Sequence, residues 1–164
     1  KTVLELATGP GMIARHIAPV AASVLATDFA PKMIAEAQKG GMPPNLSFEV
    51  ADATDLRFED GSFDVVIIAN ALHVMPGPEK ALSEIGRVLA KDGLLIAPNF
   101  VSRAAGRQNL WQKLLSLAGV KFEHAWTADE YRVFLASCGW RVCRSELVAG
   151  RIDLLYTECV RADP

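Results

Sequence analysis

Glu5, Gly9, Gly11, Asp28 and Asp52 are the residues of this chain whose types and spacing could do chemistry. The first three lie in Glu5-Leu6-Ala7-Thr8-Gly9-Pro10-Gly11, at the end of a short apolar run. Glycines there let the backbone turn sharply and approach a ligand closely. A helix starting at such a loop offers N–H groups and the positive end of its dipole to a carboxylate or phosphate. Alone, the loop has two readings. It is a tight turn that binds nothing, or a nucleotide loop, since Gly9-Pro10-Gly11-Met12-Ile13-Ala14 satisfies GxGxxA.

The acids narrow the choice. Asp28 ends a second apolar run, where a carboxylate can accept hydrogen bonds from both hydroxyls of a ribose. Its plainer role is the N-cap of the helix opened by Pro31. Asp52 follows a third run in Val50-Ala51-Asp52-Ala53-Thr54 and can accept from the exocyclic amine of an adenine; its plainer role is a solvated loop acid. Glu5 lies inside the first run. A carboxylate there is costly to bury without a cation or donors, which a ligand ammonium or a neighbouring basic side chain would supply. Each acid is weak evidence. Placed at the ends of successive strands, they mark the rim where open α/β sheets bind ligands.

The elements that must position these residues follow from periodicity. Strands are expected at residues 2–6, 23–27, 46–50, 63–69 and 94–97, and helices at 11–17, 31–39 and 78–90. Residues 65–69 are unbroken apolar and are expected to be buried on both faces. Asp92-Gly93 is expected to turn the chain into the fifth strand, which Pro98 ends. A helix is expected over residues 102–118, with Trp111, Leu114, Leu115 and Ala118 on one face. Thr127-Ala128-Asp129-Glu130 is a capping box opening a helix that buries Tyr131, Phe134, Leu135 and Cys138. Residues 140–148 and 152–160 flank Ala149-Gly150 and should pair as an antiparallel hairpin. The expected fold is therefore α/β and Rossmann-like. It has a mostly parallel seven-stranded sheet, helices on both faces and a C-terminal antiparallel hairpin. The whole of residues 1–164 reads as a single domain.

Composition excludes several classes. The chain is 51% hydrophobic and 22% charged, an ordinary globular profile. No apolar run is long enough for an integral membrane segment. No leader opens the chain, and Cys138, Cys143 and Cys159 form no CxxC pair, so no metal site is expected and a cytoplasmic location is the default. Lys and Arg do not cluster into a phosphate-tracking groove, so nucleic acid is not an expected partner. The first half is acidic: residues 1–82 carry six Lys/Arg against ten Asp/Glu. A cationic ligand suits it.

With these motifs in place, the chain resembles class I S-adenosylmethionine-dependent methyltransferases. It resembles especially the small-molecule branch that includes ubiquinone/menaquinone-biosynthesis enzymes. The segment from Glu5 to Gly11 resembles that family's E/DxGxGxG loop. Asp28-Phe29-Ala30-Pro31-Lys32-Met33 resembles its ribose-and-adenine segment, with Phe29 and Met33 flanking the ring. Asp52-Ala53 resembles its adenine contact. Phe58-Glu59-Asp60-Gly61-Ser62-Phe63-Asp64-Val65-Val66, Asn70-Ala71-Leu72-His73 and Glu84-Ile85-Gly86-Arg87-Val88-Leu89 resemble its later blocks. Two departures stand out. Ala7 replaces the first loop glycine, and a negative φ is expected there. The chain also starts at the first strand, without the helices that usually precede it in the family.

The resemblance implies S-adenosylmethionine as cofactor, a small-molecule acceptor and a monomer or homodimer. Expected cofactor-binding residues are Glu5, Ala7, Gly9, Gly11, Asp28, Phe29, Met33, Asp52, Ala53 and Asn70, with Asn70 acting through its backbone carbonyl. Methyl transfer from a sulfonium needs alignment and a dry pocket, and a base only if the acceptor must lose a proton. His73 follows the fourth strand and is the expected catalytic base. His124, Trp126 and Trp111 are candidates to line the acceptor site; core packing is the plainer role of both tryptophans. His16 reads as structural. Two other functions fit the residues: a non-catalytic module that binds the methyl donor or its demethylated product, and an NAD-dependent oxidoreductase.

Overall fold

A computed structural model describes residues 1–103 and 123–162 of the chain. Most of the expected 102–118 helix, with Trp111, lies outside the described residues.

The first strand, β1 (Thr2–Leu6), is flanked on both sides by parallel neighbours. It pairs with β2 (Ser23–Asp28), where Glu5 faces Ala26, and with β4 (Phe63–Ile68), where Glu5 faces Ile67. Strand β3 (Leu46–Val50) extends the sheet beyond β2. The period of two sorts the side chains of β1. Leu4 and Leu6 join a core with α3 (Pro78–Val88) and with α4 (Ala128–Ser137). Val3 joins a second core on the other face, with Ala14 of α1 (Met12–Ile17) and with Ile34 and Ala37 of α2 (Pro31–Ala37). The sheet is thus covered on both faces, as parallel pairing requires. Val66, Ile67 and Ile68 of β4 are buried; Val65 and Ala69, expected with them, are half-buried.

Strand β5 (Leu89–Ile96) begins earlier than its sequence predicts. The preceding helix stops at Val88 because Leu89 already pairs with Phe63. The pairing then steps from Phe63–Leu89 to Val65–Leu94. The Asp92-Gly93 turn is therefore a bulge inside the strand, not its boundary. A Cβ on Gly93 would sit 2.6 Å from Leu89 Cγ, so the bulge closes tightly around a residue with no side chain.

The C-terminal half supplies the antiparallel part. The capping box forms as expected: Thr127 accepts from the Glu130 N–H, and Glu130 accepts from the Thr127 N–H at 2.8 Å. β7 (Trp140–Val148) and β8 (Asp153–Arg161) make the hairpin. It attaches through its second strand: Leu95 of β5 pairs with Cys159 of β8. After Ala97-Pro98 a short strand, β6 (Asn99–Val101), pairs with the same β8 at Leu155, Leu154 and Asp153. It continues the line of β5 past the proline. The order is β3-β2-β1-β4-β5-β8, with β7 outermost on β8. The seven strands expected are present, and β6 is the addition. Among the described residues, no helix is long and apolar enough to cross a membrane.

Candidate functional site

Parallel strands end together, so the residues after β1 to β4 share one rim of the sheet. They enclose a cleft of about 350 Å³, within the range of small-ligand pockets. Ala7 contributes from β1, Asp28 and Phe29 from β2, Ala51 to Thr54 from β3, and Ala71, Val74 and Met75 from the turn after β4. Phe29 is 72% exposed, a large apolar ring left on the surface beside an acid.

The loop after β1 is shaped by backbone, not by its helix. Ala7 has φ of 54°, so the negative φ expected there is not what the chain adopts. The left-handed conformation is forced because the loop must reverse within a few residues, with Gly9 and Gly11 also at positive φ. At Gly11 a Cβ would lie 2.6 Å from the Phe48 ring, so glycine is needed for space as well. Arg15 fastens the loop from below. Its guanidinium donates to the carbonyls of Pro10 at 2.7 Å and Gly11 at 3.1 Å, and also to those of Ala37 and Gly41. The Gly9 N–H is taken by Asp28 at 2.9 Å, and the Gly11 N–H by the Thr8 carbonyl at 3.0 Å.

Asp28 is no N-cap. Its second oxygen accepts from the Ala30 N–H at 2.9 Å, while α2 has no side-chain cap. Each carboxylate oxygen has accepted one bond from the protein and can accept another. Asp52 is exposed and folds back on its own loop, accepting from the Thr54 N–H and hydroxyl, both at 2.8 Å. Those bonds hold its carboxyl below the usual carboxylate range.

Beside the residues that line the cleft, two buried oxygens accept no hydrogen bond among the described residues, Glu5 Oε2 and Asn70 Oδ1. They belong to the ends of adjacent strands, β1 and β4. Such groups are rare in folded proteins and call for a partner. Glu5 is 2% exposed and makes no salt bridge among the described residues. Burial pushes its carboxyl up to about 7 against hydrogen bonds from the Thr8 hydroxyl and the Ala14 N–H, which pull it down, and the Asp28 charge adds a little to the rise. Asn70 also stands at positive φ, 53°, its N–H donated to the Pro98 carbonyl.

Residues 4–97 match the family model described as a methyltransferase domain. The chain belongs to the class I S-adenosylmethionine-dependent methyltransferase family. It is 42% identical over 104 residues to a demethylmenaquinone methyltransferase of Thermus thermophilus, covering 61% of this chain and 47% of that protein. It is 30% identical over 133 residues to a phosphatidylethanolamine N-methyltransferase of Cereibacter sphaeroides, covering 77% and 63%. An S-adenosylmethionine-dependent methyltransferase from Mesorhizobium loti shares the fold with a TM-score of 0.78 at 20% identity, covering 98% and 90%. The chain spans about half the length of the first curated relative.

In this methyltransferase domain the expected cofactor residues fall into two groups. Ala7, Asp28, Phe29, Asp52 and Ala53 line the cleft. Glu5, Gly9, Gly11, Met33 and Asn70 do not; Glu5 and Asn70 carry the unpartnered oxygens behind it, and Met33 is an exposed residue of α2. His73 does not line the cleft either. Its ring is 3% exposed, Nδ1 lies 2.8 Å from Asn99 Oδ1, and the ring meets Phe100 edge-on. The Asn99 amide nitrogen donates to the Phe100 carbonyl, which leaves its oxygen to accept from His73 Nδ1–H. Burial lowers the imidazole's affinity for a proton. Its carbonyl accepts from the N–H groups of Glu123 and His124. His124 and Trp126 stack with centroids 4.6 Å apart, and Trp126 stacks on Phe134, so the plainer packing role of Trp126 holds.

Several positioning residues were not singled out in the sequence. Asn99 and Arg15 are two. Arg87, quoted there only within the Glu84–Leu89 block, is another: it donates to the carbonyls of Leu56 and Phe58 at 2.7 Å and to Asp60 and Glu84 at 2.8 Å. Glu84 in turn accepts the Leu56 N–H. The pair anchors the loop that carries Asp52 and Ala53.

Proposed function

We propose that this chain binds S-adenosylmethionine at the rim of β1 to β4 and directs methyl transfer to a small organic acceptor by in-line displacement. The observation that carries the reading is an apolar, acid-edged cleft at the ends of strands whose buried Glu5 Oε2 and Asn70 Oδ1 have no hydrogen-bond partner among the described residues. The residues fit the donor. Phe29 and Ala53 offer apolar surface for a flat adenine, and Asp52 an acceptor for its amine. Asp28, already held rigid by Gly9 and Ala30, has acceptor capacity for a ribose diol. Glu5 and Asn70 offer oxygens to the methionine ammonium.

The bound sulfonium supplies the electrophilic methyl group; the protein's part is alignment and exclusion of water. Asp28 fixes the ribose, and through its bond to Gly9 the same carboxylate fixes the loop at the methionine end. We read His73 as a positioning residue, in place of the base its sequence position implies. Its bond to Asn99 and its carbonyl bonds tie the turn after β4 to the segment carrying His124. Relatives include C- and N-methyltransferases by name, so the reading stops at the class of acceptor.

Calorimetric titration with S-adenosylhomocysteine and with NAD tests the binding half. Tight NAD binding with none of the adenosyl ligand overturns the reading. Transfer of labelled methyl from the donor into a metabolite pool tests the second half. Binding without transfer leaves a non-catalytic module.

A further inference from the structure

We infer that the outer edge of β7 docks a second copy of this chain. The two copies pair β7 to β7, antiparallel about Ser145, with Arg144 of each facing Glu146 of the other. Strand β7 runs for nine residues, Trp140–Val148, and pairs along one edge with β8. Along its other edge no strand pairs with it among the described residues. Such an edge presents a row of free N–H and C=O groups, a template for another strand. β5 and β8 stand between it and β4, so a copy docked there leaves the cleft open.

Charge selects the occupant and the register. Ser145 and Leu147 pair with the buried Thr157 and Leu155 of β8, which puts them on the α4 face of the sheet. Arg144, Glu146 and Val148 pair with the half-buried Glu158, Tyr156 and Leu154 and stand on the other face. Two copies joined in one sheet about a two-fold axis oppose residues of the same face, so the axis passes through a residue that meets itself. Centred on Arg144, the arginines collide; centred on Glu146, the glutamates do. Centred on Ser145, Arg144 meets Glu146 twice. Opposite charges directly across a strand pair favour it, and like charges oppose it. Both side chains are free to reach across, being 62% and 65% exposed. The register of β7 against β8 shifts between Val142 and Arg144, which leaves Cys143 as a bulge. The bulge keeps the match short.

Apolar exposure falls on the same edge. Among the described residues beyond Val50, the exposed large apolar side chains are Val133, Leu147 and Val148. Two of them lie on β7 itself, one on each face. The third belongs to α4, whose Arg132 donates to the Ser145 hydroxyl at 3.3 Å. Asp129, Arg132, Val133 and Ala136 share one stripe of that helix by their spacing, on the side turned to β7. A two-fold through Ser145 puts both α4 helices on one side of the joined sheet and carries Val133 of each toward the seam.

Sedimentation equilibrium of the whole chain, across the micromolar range, is the test. The native chain should dimerise with a micromolar dissociation constant, as a short seam with few apolar contacts implies. Glu146→Arg sets arginine against arginine, and Arg144→Glu sets glutamate against glutamate. Each variant alone should dimerise about tenfold more weakly than the native chain. Mixed in equal amounts, the two variants regain both opposite-charge contacts and should form a heterodimer of near-native affinity. Circular dichroism checks that each variant is folded. Should either not fold, hydrogen exchange on the native chain decides: amides of residues 144–147 should gain protection as protein concentration rises, and those of Leu46–Val50 at the opposite edge should not. A native chain that stays monomeric throughout overturns the inference. So does a dimer that both variants form as well as the native chain, or a mixture no tighter than either variant alone.

Discussion

The carboxylate of Asp28 accepts the backbone N–H of Gly9 at 2.9 Å, joining the end of β2 to the loop after β1. One acid therefore does two things. It shapes the glycine loop, and its remaining acceptor sites face the cleft. Asp28→Ala leaves the Gly9 and Ala30 N–H groups without their acceptor. Adenosyl-ligand binding should weaken by about 1–3 kcal/mol, the range for hydrogen bonds to a charged group. Asp28→Asn keeps one oxygen and should lose less. Titration of both variants with S-adenosylhomocysteine checks this, and equal loss in the two variants would mean the charge, not the geometry, does the binding.

Ala7 stands at a φ of 54°, where an L-residue with a Cβ is strained. Ala7→Gly removes a penalty of about 1–2 kcal/mol and returns part of it through the freer unfolded chain. A net gain of roughly 0.5–1 kcal/mol is expected. Urea unfolding should show a higher midpoint at unchanged slope. A lower midpoint would contradict the left-handed assignment.

Arg87 gathers the carbonyls of Leu56 and Phe58 and the carboxylates of Asp60 and Glu84. Arg87→Ala should release the loop after β3 while β1 and β2 stay paired. Hydrogen exchange is the measurement. The Leu56 N–H, bonded to Glu84, should lose protection, and the Leu4 and Leu25 amides should keep theirs. Uniform loss across the sheet would instead make Arg87 a residue of global stability.

His73 is bonded through Nδ1 to Asn99 and is buried behind the cleft. His73→Asn presents an amide N–H toward the same Asn99 oxygen and should keep most of the turnover. His73→Phe removes the donor, leaves Asn99 Oδ1 buried and unpaired, and should cost about 1–3 kcal/mol of stability. The decisive readout is the pH profile of kcat. It should be unchanged in His73→Asn; loss of its acidic limb together with turnover would restore the histidine to the role of base.

Much of this is legible in the sequence, for physical reasons that also explain what is not. β1 to β4 announce themselves because each is a short apolar run closed by turn residues, and the acids Asp28 and Asp52 fall where those runs end. The Thr127–Glu130 box works within one turn of chain, so it reads directly. The hairpin was visible, but not its attachment. That β8 lies between β5 and β7 depends on the Leu95–Cys159 pairing, a contact across 64 residues that no local pattern encodes. The early start of β5 likewise follows from Phe63 on a neighbouring strand. Ala7 misled because alanine normally signals negative φ, while the loop's reversal decides otherwise. His73 reads as a loop residue in sequence; only Asn99, 26 residues on, shows that it is buried and held.

Glu5 also ties stability to pH. Its carboxyl is raised to about 7 in the folded chain against 4.5 when exposed, so between those values the folded state holds the extra proton. The sign follows from linkage. The unliganded fold keeps its full stability with respect to this group below pH 4.5 and loses it as pH rises through 7, by roughly 3 kcal/mol at 1.36 kcal/mol per unit. Glu5→Gln carries a neutral group throughout and has no such slope. Urea unfolding at pH 5 and pH 8 should therefore show the variant gaining on the native chain at the higher pH, with most of the difference gone at the lower. A saturating ammonium ligand should narrow the gap at pH 8, because it stabilises the carboxylate of the native chain and finds no charge in the variant. A constant gap at both pH values would mean that Glu5 is already ionised in the empty site.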